Sequence, residues 1–586
     1  MRIYCSMHHL GSFLVYEPVI RELAGRGHDM HLAVSRAETL GWEQTLQSVL
    51  VDHPNITWSW LSPSPLSSSI WFELAKTIRI WAGYLRYFEP EYADAPRLKE
   101  RAEQGVPPGL VRLSARPIFR KARNRQRLLR LLRLVERTVP PVPEVQQALR
   151  EYNPDLVFIT PLVYLGSWQF EVLRTALAEG LRTAFGVGSW DHLSSKALIR
   201  DIPQRVLVWN ETQKDEAMRL HGVPADRIVV TGAQCYDRWF DRAPVRSREE
   251  FCRRVGLPHD RPFILYVCSA LFWGSPVEAE FVRRWIQELR ASGHPVLRSA
   301  AVLIRPHPAR LEEWKAIDLS SFEGVSLYGS NPKDPESRED YFESLFYSSA
   351  VAGLNTSAFI EAAVVGRPVH TVLAPEYHDN QEGTLHFHYL TRVGGGVLHA
   401  ARTVDEHHAL LAASLQGPAG EPGTNPQFVR EFVRPFGLDR AATPILCEAL
   451  EELGRMPAPA PVTIPRSLAW LRSAVYPMAV LLQRLYGGAV FRDVERLQRQ
   501  RDHERGRELE AERRRTEKIA ARAEKIRRVE AAREAERRSR EERLAASARA
   551  KSLAKAARER HKARHRRSKR RAAFVAQIKR RMGFGQ

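Results

Sequence analysis

The sequence predicts an α/β protein of two parallel-sheet domains facing a cleft, followed by a basic helical tail. Three observations predict it. Short apolar runs of strand length alternate with amphipathic stretches of helical period, in two blocks of similar size. The runs end in small or polar residues, where ligand-binding loops begin. Charge is concentrated at one end: of the net +21, residues 491–586 carry +19, from 34 Lys+Arg and 15 Asp+Glu. A near-neutral body therefore bears a cationic tail.

The first block spans 1–245. Residues 2–5 read as a strand and Ser6–Ser12 as a loop containing His8, His9 and Gly11. Leu14, Val15, Ile20 and Leu23 give 13–25 a helical period, and 30–34 is a second strand. No G-x-G-x-x-G follows the first strand, so the dinucleotide fingerprint is absent. Residues 61–140 interrupt the alternation. An aromatic-rich helix over 70–88 and an arginine-rich amphipathic helix over 117–139 predict a helical insertion. It serves either as a cover for the sheet or as a flap facing an acceptor or a membrane.

The alternation then resumes with strand 155–160, helix 168–180 and strand 182–187. A polar loop, 188–196, follows with Ser189, Trp190, Asp191 and His192. Strand 205–208, a helix to about 220 and strand 227–231 complete the block. Residues 241–260, with Pro244 and Pro258, read as the linker.

The second block spans 246–456. It predicts strand 263–268, helix 276–291, strand 301–305, a helix after His307, strand 325–328, helix 338–347, strand 349–353, helix 356–365 and strand 368–373. Helices over 402–415 and 426–454 close this domain or cross back to the first. Residues 457–465 form a Pro/Ala-rich linker, and 467–491 is apolar and aromatic but broken by Arg472, Pro477 and Arg484. That segment is too interrupted to span a bilayer and suits a bilayer surface. From 492 to about 548 acids and bases interleave as in a solvated helix or weak coiled coil. The final residues are basic with apolar positions at helical spacing.

Five scattered cysteines without a C-x-x-C pair exclude a disulfide framework and fit a reducing cytoplasm. The first residues enter a strand with no apolar leader, and no window of 18 apolar residues occurs, so neither signal peptide nor spanning helix is expected. Three readings of the tail stand: nucleic-acid binding, which no accompanying motif supports; attachment to an anionic membrane, the reading preferred here; and a solvated spacer.

Two strand ends carry the chemistry. Asn355, Thr356 and Ser357 precede a predicted helix, whose free N–H groups and dipole favour an anion; these residue types also serve as plain N-caps. Arg305 and His307 end another strand, with His307 held stiff between Pro306 and Pro308. In 376–388 several His and acidic residues crowd together, but His386-x-His388 matches no zinc signature, so no metal is expected. Gln381, Glu382 and Thr384 there read instead as a specificity loop beside the Ser357 turn.

These residues resemble the GT-B nucleotide-sugar glycosyltransferases, whose two Rossmann-like halves match the two blocks. The resemblance rests on Arg305-Pro-His307-Pro308, on Asn355-Thr-Ser357 with Glu361, and on the Gly366-Arg-Pro-Val that follows. It is closer to bacterial surface-polysaccharide transferases that use CMP-sugars, and to CDP-glycerol glycerophosphotransferases. Ser189-Trp190-Asp191-His192 is similar to a stretch in surface-carbohydrate proteins of that class. The likeness covers about residues 1–455; the acidic motif of the bacterial sialyltransferases is missing. It implies a metal-independent transferase without a cofactor, moving a sugar or glycerophosphate unit from a nucleotide-linked donor to a glycan or lipid-linked acceptor. It implies a ribose-binding role for Glu361 and a base among His9, His8 and Asp191. The cysteine usage and the basic tail, rather than the resemblance, lead to the expectation of a cytoplasmic protein at the inner face of the membrane. A nucleotide-sugar 2-epimerase, and a non-catalytic scaffold whose tail binds nucleic acid or a partner, are the rivals.

Overall fold

The computed structural model describes residues 1–35, 43–61, 69–164, 167–272, 274–329, 332, 334–416, 425–486 and 542–581. Among the described residues seven strands form the first sheet: β1 (Arg2–Met7), β2 (Asp29–Val34), β3 (Ile56–Trp60), β4 (Leu156–Thr160), β5 (Arg182–Gly186), β6 (Arg205–Val208) and β7 (Ile228–Val230). Their order is β3-β2-β1-β4-β5-β6-β7. Six form the second: β8 (Phe263–Val267), β9 (Ala301–Arg305), β10 (Val325–Leu327), β11 (Ala350–Ala352), β12 (Val369–Val372) and β13 (Leu398–Ala401), in the order β10-β9-β8-β11-β12-β13. Every pairing is parallel. β4, β8 and β9 are buried at every position, as strands covered on both faces must be.

Both sheets reverse direction of winding next to their first strand, between β1 and β4 and between β8 and β11. Such switch points open a crevice at the carboxyl ends of the strands. Two doubly wound sheets in one chain constitute the GT-B fold anticipated from the sequence.

Helix Ala442–Arg455 takes the second of the two courses anticipated and crosses back. Its Leu446, Cys447, Leu450 and Leu453 are buried with Phe13, Tyr16 and Ile20 of helix Gly11–Gly25. Asp237 fixes its start, accepting from the backbone N–H of Ala442 and Thr443 at 3.0 and 2.7 Å and from Arg434 at 2.9 Å. A carboxylate at a helix N-terminus satisfies orphan donors and complements the dipole.

Several segments differ from expectation. The linker 241–260 contains helix Arg248–Val255, started by a Ser247–Glu250 capping box. The segment 117–139 is split into a 3₁₀ turn, Pro117–Arg120, and helix Ala122–Arg137, because Pro117 opens a separate turn. Residues 426–454 form two helices, Pro426–Phe432 and Ala442–Arg455, and the helix after His307 is a 3₁₀ segment, Pro308–Ala316. The edge elements β3, β13 and helix Glu43–Asp52 were not anticipated; β3 is mostly exposed and lacks the continuous apolar run of a central strand.

The insertion packs on the first domain through buried charge. Glu136 receives Arg79 at 2.6 Å, Arg200 at 2.9 Å and Arg174 at 3.2 Å. Burial alone would raise its pKa; the three guanidinium groups hold it near 2. The insertion also grips the loop after β5. Tyr92 and Tyr87 donate to the carbonyls of Ser194 and Ser195 at 3.0 and 3.2 Å, and Arg86 donates to the carbonyls of Leu193 and Lys196. It therefore shapes the polar loop 188–196.

The C-terminal unit, 489–586, is described only over 542–581, a helix exposed along nearly its whole length. The charged segment from 492 lies outside the described residues as far as 541. Among the described residues no helix is long and apolar enough to cross a membrane.

Candidate active site

The crevice between the sheets holds a cavity of about 260 Å³. One wall belongs to the first domain: Asp191, Ser195 and Lys196 from the loop after β5, and Arg101 from the insertion. The other belongs to the second: Ala270, Leu271 and Phe272 after β8, Asn355 after β11, and Asn380, Thr384 and His386 after β12. These are strand ends flanking the second sheet's switch point. A larger depression of about 550 Å³, beside Arg21 and Arg26, is an open surface feature whose arginines are already paired with acids.

Asp191 is the anionic centre. It accepts from Ser189 Oγ at 2.7 Å and Ser195 Oγ at 3.0 Å, and Lys196 Nζ lies 3.3 Å away. Burial opposes its charge, but Lys196, then His192 and His386, keep its pKa well below the usual carboxylate range. Arg101 donates to the Ser195 carbonyl and lies over the Phe272 ring at 5.4 Å, so the insertion reaches the second domain. Two cations against one anion leave the wall net positive.

On the facing wall His386 meets Trp190 edge-on, with ring centroids 4.7 Å apart. Burial lowers the His386 pKa to about 4, so the ring is neutral at pH 7. Asn355 donates to the Asn380 carbonyl at 2.6 Å, and Asn380 in turn accepts from the Phe272 N–H at 2.7 Å. Asn355 Oδ1 and His386 Nδ1 are buried without a hydrogen-bond partner among the described residues. Buried polar atoms are normally hydrogen-bonded, which makes these two candidates for ligand contact. Leu271 takes φ +34°, a strained value for a branched residue, against the same cavity.

Behind Asp191 a row of rings follows the first sheet's switch point. His8 stacks on Tyr164 at 5.3 Å, His9 meets it edge-on at 6.0 Å, and Tyr164 meets His192 at 5.6 Å. Burial pushes the His192 pKa down to about 4.

Of the residues singled out from sequence, the structure brings Asp191, Asn355 and Thr384 to the cavity; His8 and His9 stand behind Asp191. The others do not line it. Arg305 is 4% exposed and engaged by the Asp340 carbonyl, Ser344 and the Tyr341 ring, so its charge is spent inside the domain. Gln381 is equally committed, joining Thr371, Val372 and Ala374. Glu361 bonds Tyr341, and desolvation raises its pKa to about 7. His307 Nδ1 accepts from its own loop at Ala309, and Glu382 lies 3.6 Å from Arg402. The predicted helix N-terminus at 356 is shorter than expected: the helix is Ala358–Val364, seven residues. Ser357 makes no side-chain cap, and Thr356 only accepts weakly from Ala358 at 3.4 Å.

Sequence reasoning missed Arg101, Lys196, Asn380 and His386 as site residues. His386 drew notice only as half of a poor metal spacing, and among the described residues no group of three His, Cys, Asp or Glu could hold a metal ion. Arg101 had no local signal at all, since it is 90 residues from its wall partner Asp191.

No protein-family model matches the chain, and no curated protein matches it. Solved structures do. UDP-GlcNAc 2-epimerase from Neisseria meningitidis, bound to UDP-GlcNAc, is 12% identical over 77% of this chain and 100% of its own, with a TM-score of 0.44. A glycosyltransferase from Rickettsia africae is 10% identical over 78% of this chain and 99% of its own, TM-score 0.45. An Anabaena protein in complex with UDP-glucose is 10% identical over 77% and 100%, TM-score 0.42. The likeness is one of fold.

Proposed function

We propose that the chain is a glycosyltransferase that moves a sugar from a nucleotide-linked donor to the hydroxyl of a glycan or lipid-linked acceptor. The observation carrying this reading is the cavity between the two domains, where Arg101 and Lys196 face Asn355, Asn380, Thr384 and His386. The cations suit a diphosphate, and would take up the charge that develops as it leaves. Asn355 Oδ1 and His386 Nδ1 suit sugar hydroxyls. The ionised Asp191 accepts a hydrogen bond from the acceptor hydroxyl and orients it. A strongly lowered pKa makes Asp191 a weak base, so its part is to orient the hydroxyl, and the base is assigned to His9 or His8, which stand behind it.

A second reading rests on Asp191 and His386 approaching one cavity from opposite domains, close enough to perturb each other's charge. A group on each side of one sugar carbon, one to remove a proton and the other, once protonated, to return one, is what a nucleotide-sugar 2-epimerase requires. One experiment separates the two. Incubation with CMP-, CDP-, UDP- and GDP-linked donors in deuterated water, with and without a glycan or lipid acceptor, gives acceptor-dependent release of nucleotide for a transferase. Deuterium at the sugar carbon without acceptor establishes the epimerase instead. A CDP-glycerol substrate in the same assay tests the glycerophosphotransferase variant.

A further inference from the structure

We propose that the outer face of helix Ala469–Tyr486, together with the arginine-rich flank of the insertion, docks on an anionic lipid bilayer. The inference is independent of the reaction assigned to the cavity. The helix follows the Pro/Ala-rich linker and lies against helices Phe72–Arg86 and Ala122–Arg137. Its inner side is fixed: Ala479 is fully buried, Val475 and Leu482 pack on the insertion's core, Arg472 donates to the Thr138 carbonyl at 2.8 Å, and Tyr476 meets Trp71 at 5.8 Å.

The other side has no reason to be apolar if water is its only neighbour. It nevertheless exposes Trp470 (65%), Leu485 (61%), Met478 and Leu481, with Tyr476 and Tyr486 half-exposed at its margins. At 18 residues the helix is about 27 Å long, and at 100° per residue Trp470, Met478, Leu481 and Leu485 fall in one stripe along it. A cluster this large on a monomer's surface marks an interaction site. Its chemistry selects the partner. Trp and Tyr among aliphatic residues are the composition of a helix lying at the boundary between headgroups and acyl chains. No Asp or Glu occurs anywhere in 453–492.

The neighbouring surface supplies the charge. Arg112, Arg116, Arg120, Lys121, Arg123, Arg127, Arg130 and Arg137 are exposed. Between 105 and 143 the sole acid, Glu136, is buried in its own ion cluster. An apolar ridge beside an unopposed cationic helix is complementary to anionic headgroups over a hydrocarbon layer. A protein partner would need acidic and apolar surface in the same order; a bilayer offers both everywhere. The helix is not apolar enough to span, so it lies in the surface plane.

The test is co-sedimentation of the full-length chain with phosphatidylcholine vesicles, with and without phosphatidylglycerol. Two variants accompany it: Trp470→Ser/Leu481→Ser/Leu485→Ser on the ridge, and Arg123→Glu/Arg127→Glu/Arg130→Glu on the flank. All six positions are exposed or point away from the core, so both variants should melt like the wild type. The proposal expects binding to the anionic vesicles only, weakened at least about tenfold by each variant. High salt should weaken the wild type less than the flank substitution does. Wild-type binding by both variants would assign attachment to the C-terminal tail and overturn the proposal. So would the absence of binding by the wild type. So would a ridge variant that converts a dimer to a monomer with vesicle binding intact, since the ridge would then face a second copy of the chain. If one variant fails to fold, the other decides alone.

Discussion

The rings of Trp190 and His386 meet edge-on at 4.7 Å, one from the loop after β5 and the other from the loop after β12. Trp190 is counted in the core of the second domain although its chain belongs to the first. This one contact ties the two strand-end loops that line the cavity. Trp190→Ala should therefore lower stability by about 3–5 kcal/mol, as for other buried large aromatics, and also weaken nucleotide binding. Trp190→Phe should recover most of both. Thermal melts and titration calorimetry on the two variants check this.

The neutral state of His386 gives a pH signature. Its pKa of about 4 is set chiefly by burial. An anionic ligand beside the ring favours the imidazolium and raises that value. Binding then takes up protons, and affinity rises as pH falls from 7 toward 5. His386→Gln should remove that excess proton uptake. Calorimetry in two buffers of different ionisation heat measures it directly.

Gln381 reads in the sequence as a donor-specificity residue and in the structure as a brace. Its amide joins Ala374, Thr371 and Val372 across the turn after β12. Gln381→Ala should cost about 2–3 kcal/mol, the price of stranding buried backbone partners. A pure ligand contact would leave the melting temperature unchanged.

The contrast shows how far the residues could be read in advance. The two doubly wound domains were legible because their strands are continuous apolar runs such as Phe263–Val267 and Ala301–Arg305, bounded by polar loops. The strand ends at Asn355, Thr384 and Asp191 were legible for the same reason. What sequence cannot convey is the direction of a side chain at a strand end. Arg305 and Asn355 both sit there, yet one turns into the domain and the other into the cavity. Nor does it show contributions from distant elements, such as Arg101 reaching from the insertion.

Glu216 is buried and accepts from Tyr389 of the second domain; desolvation raises its pKa to about 8. The folded state thus holds a proton that the unfolded state releases above about 4.5. Stability falls as pH rises from about 4.5 to 8 and the loss levels off beyond. Glu216→Gln keeps the neutral form. Its melting temperature relative to the wild type should climb across that window, with the largest gain at pH 8 and above.

The most direct test is nucleotide binding to the cavity. CMP, CDP, UDP and GDP are titrated into the wild type and into Lys196→Ala, with thermal shift as a second readout. At 100 times its dissociation constant a ligand stabilises the fold by about 2.7 kcal/mol. The account predicts that one nucleotide binds and that Lys196→Ala weakens it about 10- to 100-fold, the worth of a charge-assisted hydrogen bond. No binding across the panel, or equal binding by Lys196→Ala, would contradict it.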